Sequence, residues 1–417
     1  MLAEPAVPAA AAKSQGAPRP AFLRGYGRDF WLLFAATAAF NSAVNMFVLF
    51  PLFIVELGGR AQMIGILAAF GSLASLSSRP LVGAVIDRLG RRWAAVRFAL
   101  LEGVAILLYA PIGRLGWPIF AVRALHGLAD GSSRVALFAM VFPILPADRG
   151  GEGMSIFSLC GIGTSAFAPV LGELIIRRLG FTAYFCTGTL LCLTCAIIVR
   201  LVSENGRASA EGGRRAAALS ASARTPRYVE LFLDPVLMPL WVVTFFFTIA
   251  IAVRVSFVAP FAYHEGVKNV GFYFSVYAIF AILIRVLGGR WIDRLGLART
   301  LAPALAVLGV GVGLLVGTGW RGVLTLAAAV GGLGHGYTYP ALSVLLIRRT
   351  EEGAMGRVSN IYTTVSDLAA LSGPVLFGLF AQRWGYGPMF VAAGAATFGA
   401  AVYFFAVQPD FSGRLAP

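Results

Sequence analysis

Ionisable side chains inside long apolar runs are the residues of this 417-residue sequence with most chemistry to offer. Arg123, Asp130 and Arg134 recur at i, i+7 and i+11, which at 3.6 residues per turn puts them on one stripe of a helix, with His126 close beside it. Glu102, Glu173, Arg254 and Asp367 stand in other apolar runs. A charge at mid-bilayer costs roughly 2.5 to 3.5 kcal/mol on insertion scales, so each needs a partner or a water-filled cavity. Two kinds of chemistry are within reach: moving protons and binding an anionic substrate. Asp130 between two arginines is expected to pair with Arg123. Glu173 has Arg177 one turn on, which points to an interfacial salt bridge. Asp367 shares a polar strip with Ser359, Thr363 and Ser366 and is expected to pair with Arg254 or Arg285. Glu102, in "LLEGV", has no cation near it in sequence.

The elements that hold these residues follow from composition. The chain is 58% hydrophobic and only 13% charged, and its apolar stretches of about 20 residues match the thickness of a bilayer. Lipid supplies no hydrogen bonds, so such stretches must be helices, and the alternation of a membrane barrel is absent. We read twelve spans, at 30–55, 61–82, 94–113, 117–141, 153–176, 181–201, 236–262, 270–289, 299–318, 322–347, 355–381 and 386–407. The net charge of +15 is topological rather than a nucleic-acid footprint: with the N-terminus inside, 21 of the 34 Lys and Arg fall in cytoplasmic segments and 7 in external loops. Residues 1–28 are expected to form a disordered cytoplasmic tail, having no signal-peptide core, and 409–417 a second cytoplasmic tail. The four cysteines lie inside spans without ligand spacing and are expected to be packing residues. No nucleotide loop, catalytic triad or metal constellation stands at convincing spacing, so an enzyme, a metal site and a cofactor are not expected.

Residues 203–235, rich in Ser, Ala, Gly and Arg, read as a cytoplasmic linker, with a short amphipathic helix near Tyr228 to Leu233. It separates an N-terminal bundle, 29–202, from a C-terminal one, 236–408. The bundles are related. A shift of 206 aligns Arg79 with Arg285, Gly83 with Gly289, Asp87 with Asp293, Arg88 with Arg294 and Gly90 with Gly296, and a shift of 205 aligns Pro169 with Pro374. The expected fold is an all-α membrane protein of twelve transmembrane helices in two six-helix pseudo-symmetric bundles.

This layout resembles the major facilitator superfamily. "GAVIDRLGRR" is similar to that family's loop between spans two and three, G-x-x-x-D-R-x-G-R-R, here Gly83, Asp87, Arg88, Gly90, Arg91 and Arg92; the second copy keeps Gly289, Asp293 and Arg294. The resemblance implies a cytoplasmic latch in which Asp87 meets a helix N-terminus, with Gly83 letting helices approach and Gly90 making the turn. "VRALHG" places Arg123 and Gly127 where the efflux branch carries an arginine associated with proton coupling. "GIGTSAFAPVLG" looks like its antiporter motif through Gly161, Pro169 and Gly172, with Ala168 in place of a glycine. Longer stretches such as "SDLAALSGPVLFGLFAQRWGYGPMF" resemble bacterial arabinose, drug and metallophore efflux permeases of the drug:H+ antiporter type. Spans one, four, seven and ten line the cavity in this family, which makes Asn41, Asn45, His335 and Tyr339 cavity candidates.

The resemblance therefore implies a proton-driven exporter of small molecules in the bacterial cytoplasmic membrane, monomeric in the bilayer, with both termini cytoplasmic. Arg123, His126, Asp130, Arg134, Glu102, Glu173, Asp367 and Arg254 are the coupling or substrate candidates. Two alternatives stay open: a proton symporter importing a sugar or organic anion, and a transporter-like receptor that moves nothing.

Overall fold

Apolar runs punctuated by glycine and proline dictate a chain of long helices, and the computed structural model shows them. It describes residues 26–145, 150–203, 228–295, 297–320, 322–350 and 354–407, with only the backbone of 80, 81, 142, 150, 151, 155, 288–295, 297 and 298. Helix α1 (Arg28–Met46) passes through a 3-10 turn (Phe47–Leu49) into α2 (Phe50–Glu56), and the two make one crossing. Then come α3 (Ala61–Leu89), α4 (Arg91–Leu107) and α5 (Trp117–Val141). The 51-residue α6 (Gly150–Arg200) holds two crossings, because Gly180 turns the chain at φ 81°, a conformation that a side chain would strain. After the short α7 (Tyr228–Phe232) come α8 (Met238–His264), α9 (Val270–Leu295), α10 (Leu297–Gly313), α11 (Val323–Arg348), α12 (Met355–Trp384) and α13 (Tyr386–Val407). Among the described residues this makes twelve crossings, in two bundles of six. Eight helical runs, Glu152–Arg200 among them, are long and apolar enough to cross a membrane.

The span limits differ most around the signature loop. Apolarity suggested a loop over 83–93, whereas α3 runs to Leu89 and α4 starts at Arg91, so Gly90, at φ 79°, is the break. A helix satisfies its own backbone wherever it lies, and hydropathy marks only the part that lipid surrounds. The linker residues 204–227 and both terminal tails lie outside the described residues. In the stretch expected to form an amphipathic helix, α7 buries Leu231, whose carbonyl accepts from Trp241 Nε1 at 3.4 Å. Asp234 then turns the chain ahead of α8 by accepting from the Val236 N–H at 2.6 Å.

Packing tells the two faces of the bundle apart. We call the end bearing Arg28, Arg88 and Arg91 the basic face, and the end bearing Glu56 and Lys268 the opposite face. One apolar cluster joins the two bundles: Phe50, Phe53, Ile54 and Ala61 near the opposite face pack with the core of the second bundle, including Phe257 and Phe261. The basic-face end of the first bundle, with Phe30, Ala94, Ala136 and Val199, forms a separate cluster. Backbone approaches agree. A Cβ on Gly65 would lie 2.1 Å from the Pro374 carbonyl oxygen, and one on Gly271 would lie 2.9 Å from that of Pro169. Both are contacts between bundles near the opposite face.

Within the first bundle, α3 and α5 meet where a Cβ on Gly127 would lie 2.2 Å from the Gly71 oxygen. Gly163, by contrast, has open space around it. Gly127→Ala is therefore expected to lower the melting temperature of the purified protein, by the roughly 1 to 3 kcal/mol typical of overpacking. Gly163→Ala should leave it unchanged. Equal melting temperatures for the two variants would contradict this packing.

Candidate functional site

Helix α5 carries the charged stripe, and the structure distributes its members. Asp130 pairs with Arg134, one turn on, at 2.8 Å, and not with Arg123 as the sequence suggested. The reason is reach: an i, i+4 pair closes along the helix, whereas Arg123 is two turns away. Arg123 turns instead towards α3, where its Nε donates to the Leu67 carbonyl at 3.1 Å. Its guanidinium lies over the rings of Phe47 and Phe50, at 5.7 and 5.5 Å. Gly71 makes the room, since a Cβ there would lie 2.5 Å from Arg123 Nε.

His126 faces the bundle interior and answers the question posed by Glu102. Glu102 is fully buried, and His126 Nε2 lies 3.0 Å from its Oε1. The approach is off the line of a hydrogen bond, and among the described residues neither carboxyl oxygen of Glu102 has a hydrogen-bond partner. On its other side, His126 Nδ1 is 3.4 Å from the Tyr109 hydroxyl, itself fully buried. The result is an acid–histidine–tyrosine chain beside the Asp130–Arg134 pair.

Asp367 and Glu173 both reach across to the other bundle. Asp367 was expected to pair with Arg254 or Arg285; it pairs with Arg79 of α3, Nη1 to Oδ2 at 2.8 Å and Nη2 to Oδ1 at 3.0 Å. Asp367 of α12 thus faces the first bundle and not its own. Glu173 was expected to meet Arg177. Its two oxygens accept instead from the Val270 and Gly271 N–H groups, at 3.1 and 2.7 Å, where the partial positive charge of the α9 N-terminus attracts a carboxylate. Arg177 donates to the Lys268 carbonyl and to Asn269 Oδ1, at 3.2 and 2.9 Å. A pocket of about 810 Å³ lies on the opposite face beside these contacts, lined by Glu56, Glu173, Arg177 and Lys268 among others.

Between the bundles at mid-depth is a smaller cavity of about 190 Å³. Asn45, Ser165 and Pro169 line it from the first bundle, and Arg254, Tyr277, Arg285 and His335 from the second. Asn45 is already engaged, donating to Thr164 Oγ1 at 2.9 Å and to the Gly161 carbonyl at 3.2 Å. Asn41 lies next to the same turn of α6: a Cβ on Gly161 would be 3.9 Å from Asn41 Nδ2. The Tyr277 hydroxyl lies 2.9 Å from His335 Nδ1. Tyr339 is largely exposed, with the Arg285 guanidinium 5.9 Å from its ring centre.

A family model described as Major Facilitator Superfamily matches residues 31–269 and 262–417, nearly the whole folded chain. The chain belongs to the major facilitator superfamily. Among its relatives, Multidrug resistance protein MdtG of Salmonella arizonae is 26% identical over 391 residues, covering 89% of this chain and 92% of the relative. The protein of the same name from Escherichia fergusonii is 25% identical over 378 residues, covering 87% and 89%. Among solved structures, the nucleoside transporter NupG matches with a TM-score of 0.76 at 12% identity, over 91% of this chain and 99% of that one. The peptide transporter POT in complex with sulfate matches at 0.74 and 15%, over 93% and 96%. These two show the fold. The protein is a secondary transporter of this superfamily, not an enzyme.

The superfamily's signature loop is only partly described. Asp87 and Arg88 are exposed at the end of α3, and Arg91 and Arg92 open α4, with Arg92 Nη1 donating to the Val202 carbonyl at 3.3 Å. The side chains of Asp293 and Arg294, and the surroundings of Gly289, lie outside the described residues. Gly83 does not admit a neighbouring helix here: a Cβ on it would meet nothing within 4 Å, because it lies well beyond the Gly65 stretch where α3 meets α12. In the antiporter-like stretch the close packing falls to Gly172, where a Cβ would lie 2.7 Å from Met46 Cγ, and not to Gly161 or Gly163. Sequence reasoning missed Tyr109, Tyr277 and the part Arg79 plays. Arg79 was visible as the mate of Arg285 in the repeat, but its partner is 288 positions away.

Two contacts between bundles can be separated by experiment. Reversing the ion pair in the double variant Arg79→Asp/Asp367→Arg should restore most of what either single change loses, a coupling of roughly 0.5 to 1 kcal/mol for a partly exposed pair. Distances between spin labels on the basic-face ends of α3 and α12 would report it; additive single effects would exclude the pair as a link. Glu173→Gln should weaken the opposite-face contact by about 1 kcal/mol. A cysteine at Ser165 should then react about fivefold faster with an impermeant thiol reagent added on that face.

Proposed function

We propose that this transporter exports small molecules in exchange for protons, from the bacterial inner membrane, with its basic face and both termini cytoplasmic. The charge distribution supports the orientation, since Lys and Arg collect on the face that holds the signature loop. The relatives named as multidrug resistance proteins support export of small, chemically varied compounds. The packing supports a cytoplasm-facing state, closed at the opposite face by the shared apolar cluster, by Gly65 against Pro374 and by Glu173 on α9. The mid-depth cavity lies on the cytoplasmic side of that seal.

The observation that carries proton coupling is the state of Glu102. It is 0% exposed, has no aligned hydrogen bond, and touches a histidine that can take or give a proton. Burying a charge without a well-matched partner is expensive, so structures keep such groups where function uses them. On this reading Glu102 and His126 load and release the proton. The Asp130–Arg134 pair nearby senses the change in charge, and Arg123, bonded to the α3 backbone, passes it to the helix that carries the latch residues Gly83, Asp87, Arg88 and Gly90. Asp293 and Arg294 are the counterpart in the second bundle. The substrate passes through the cavity lined by Asn45 and His335.

The test is flux in proteoliposomes with an imposed pH gradient, using a panel of cationic, neutral and anionic aromatic compounds. An exported compound should accumulate in the acidic compartment, against the direction of proton flow. Glu102→Gln should abolish that accumulation while leaving gradient-free exchange in place. Accumulation that follows the proton would mean symport, and accumulation indifferent to the gradient would remove the coupling.

A further inference from the structure

The second bundle holds cations in the mid-depth cavity without the acids that would balance them. Arg254, on α8, is 6% exposed, and its Nε and Nη1 are buried with no hydrogen-bond acceptor. What surrounds the guanidinium is aromatic: the ring centre of Tyr277 is 3.9 Å away, that of Phe274 5.7 Å and that of Tyr273 6.0 Å. Ring faces attract a cation but accept no hydrogen bond along the N–H directions, and the Tyr273 and Tyr277 hydroxyls within reach of Arg254 are neutral, so no negative charge balances the guanidinium. Arg285 lines the same cavity from α9, with its Nε already donating to the Gly336 carbonyl at 3.1 Å. His335 completes the group from α11, and Asn45 and Ser165 face it from the first bundle. Among the residues that line this cavity none is Asp or Glu.

Among the described residues, two other arginines in the crossings have carboxylate partners. Arg134 has Asp130, and Arg79 has Asp367. A buried arginine with two orphaned donors, in a cavity between the bundles, is the departure. Guanidinium is the group that binds carboxylate and phosphate-type oxygens in a fork, so the missing partner is an oxyanion.

We propose that Arg254, with Arg285, is the docking site for the anionic head of the transported compound, a carboxylate or phosphonate carried on an aromatic or apolar body. The head accepts from the Arg254 guanidinium and from Arg285. The body lies against Phe274 and Tyr277. This differs from the anion site that the α5 stripe suggested, because Arg134 and Arg123 are occupied. The proposal rests on the transport reading only for the claim that the bound compound is then moved.

The test is calorimetric titration of the purified full-length protein in detergent with one skeleton and three heads. The probes are 3-phenylpropylphosphonate and 4-phenylbutanoate as anions, 4-phenylbutanamide as the neutral match and 4-phenylbutylammonium as the cation. Both anions should bind at least about tenfold more tightly than the amide, and the ammonium should bind weakest. Arg254→Gln should weaken the anions by about tenfold or more and change the amide by less than about twofold. Arg254→Lys keeps the charge without the fork and should fall between. Should Arg254→Gln fail to fold, Arg285→Gln and the head series on the unaltered protein still decide the matter. An amide or ammonium that binds as tightly as the acids, the absence of binding by either acid, or anion affinity unchanged in Arg254→Gln would overturn the proposal. Anion binding that survives while flux ignores the pH gradient would overturn proton coupling alone.

Discussion

Hydrocarbon accepts and donates no hydrogen bonds, and that single constraint orders this molecule. Most polar side chains in the crossings meet it locally. Ser42, Thr187, Thr244, Thr338 and Thr397 each donate to the carbonyl four residues earlier, so a hydroxyl can sit in an apolar helix without seeking a distant partner. Others meet it between helices: Asn45 on Thr164, Tyr184 on the Met46 carbonyl, Arg123 on the Leu67 carbonyl. Against that background the groups that do not meet it are conspicuous. Glu102 and Arg254 are both buried and short of partners, and they lie in different bundles.

The two bundles share an ancestry in sequence, yet their charges have been assigned differently. Each has a histidine beside a tyrosine hydroxyl, His126 with Tyr109 and His335 with Tyr277. In the first bundle the histidine's other neighbour is a carboxyl, Glu102. In the second the nearby ionisable groups in the cavity are arginines. The repeated pair Arg79 and Arg285 has diverged in the same way, one meeting a carboxylate across the bundle interface and the other a backbone carbonyl. On the proposed function, the first half would handle the proton and the second the ligand. Two charged species would then be handled by groups that are not in contact, and their coupling would run through the motion of the halves.

The fold was legible in the sequence because lipid imposes a period and a length that can be counted. Twelve apolar runs, the turn glycine at 90, and the repeat at a shift of 206 were all present as patterns. The limits of α3 and α4 were not, since a helix continues past the lipid without changing its hydrogen bonds. The site was legible as a set of residues but not as a set of partners. His126 and Glu102 are 24 positions apart, Arg79 and Asp367 are 288, and only the packing of helices decides such pairs. Asp130 shows the opposite error: a local partner at i+4 was available, and the reading looked beyond it. Glu173 was misread because its partner is a helix end and not a side chain. A backbone N–H leaves no mark in the residue types.

That helix end explains how a bundle with so much shared apolar surface could still open. Burial of apolar area grows with the whole interface and gives no means of switching. A carboxylate on a helix N-terminus contributes only about 0.3 to 2 kcal/mol, depends on geometry over the first turn, and vanishes once the helix tilts away. Glu173 makes such a contact with α9 on the opposite face, where Gly271 leaves room for it and a Cβ would lie 2.8 Å from its Oε2. Asp87, to which the family's latch assigns the same kind of contact on the basic face, is exposed here. On the proposed function, one carboxylate engaged and the other exposed is the arrangement that two weak latches in alternation would give. Neither would be strong enough to lock the molecule, and each would be strong enough to bias an equilibrium between states that differ by a few kcal/mol.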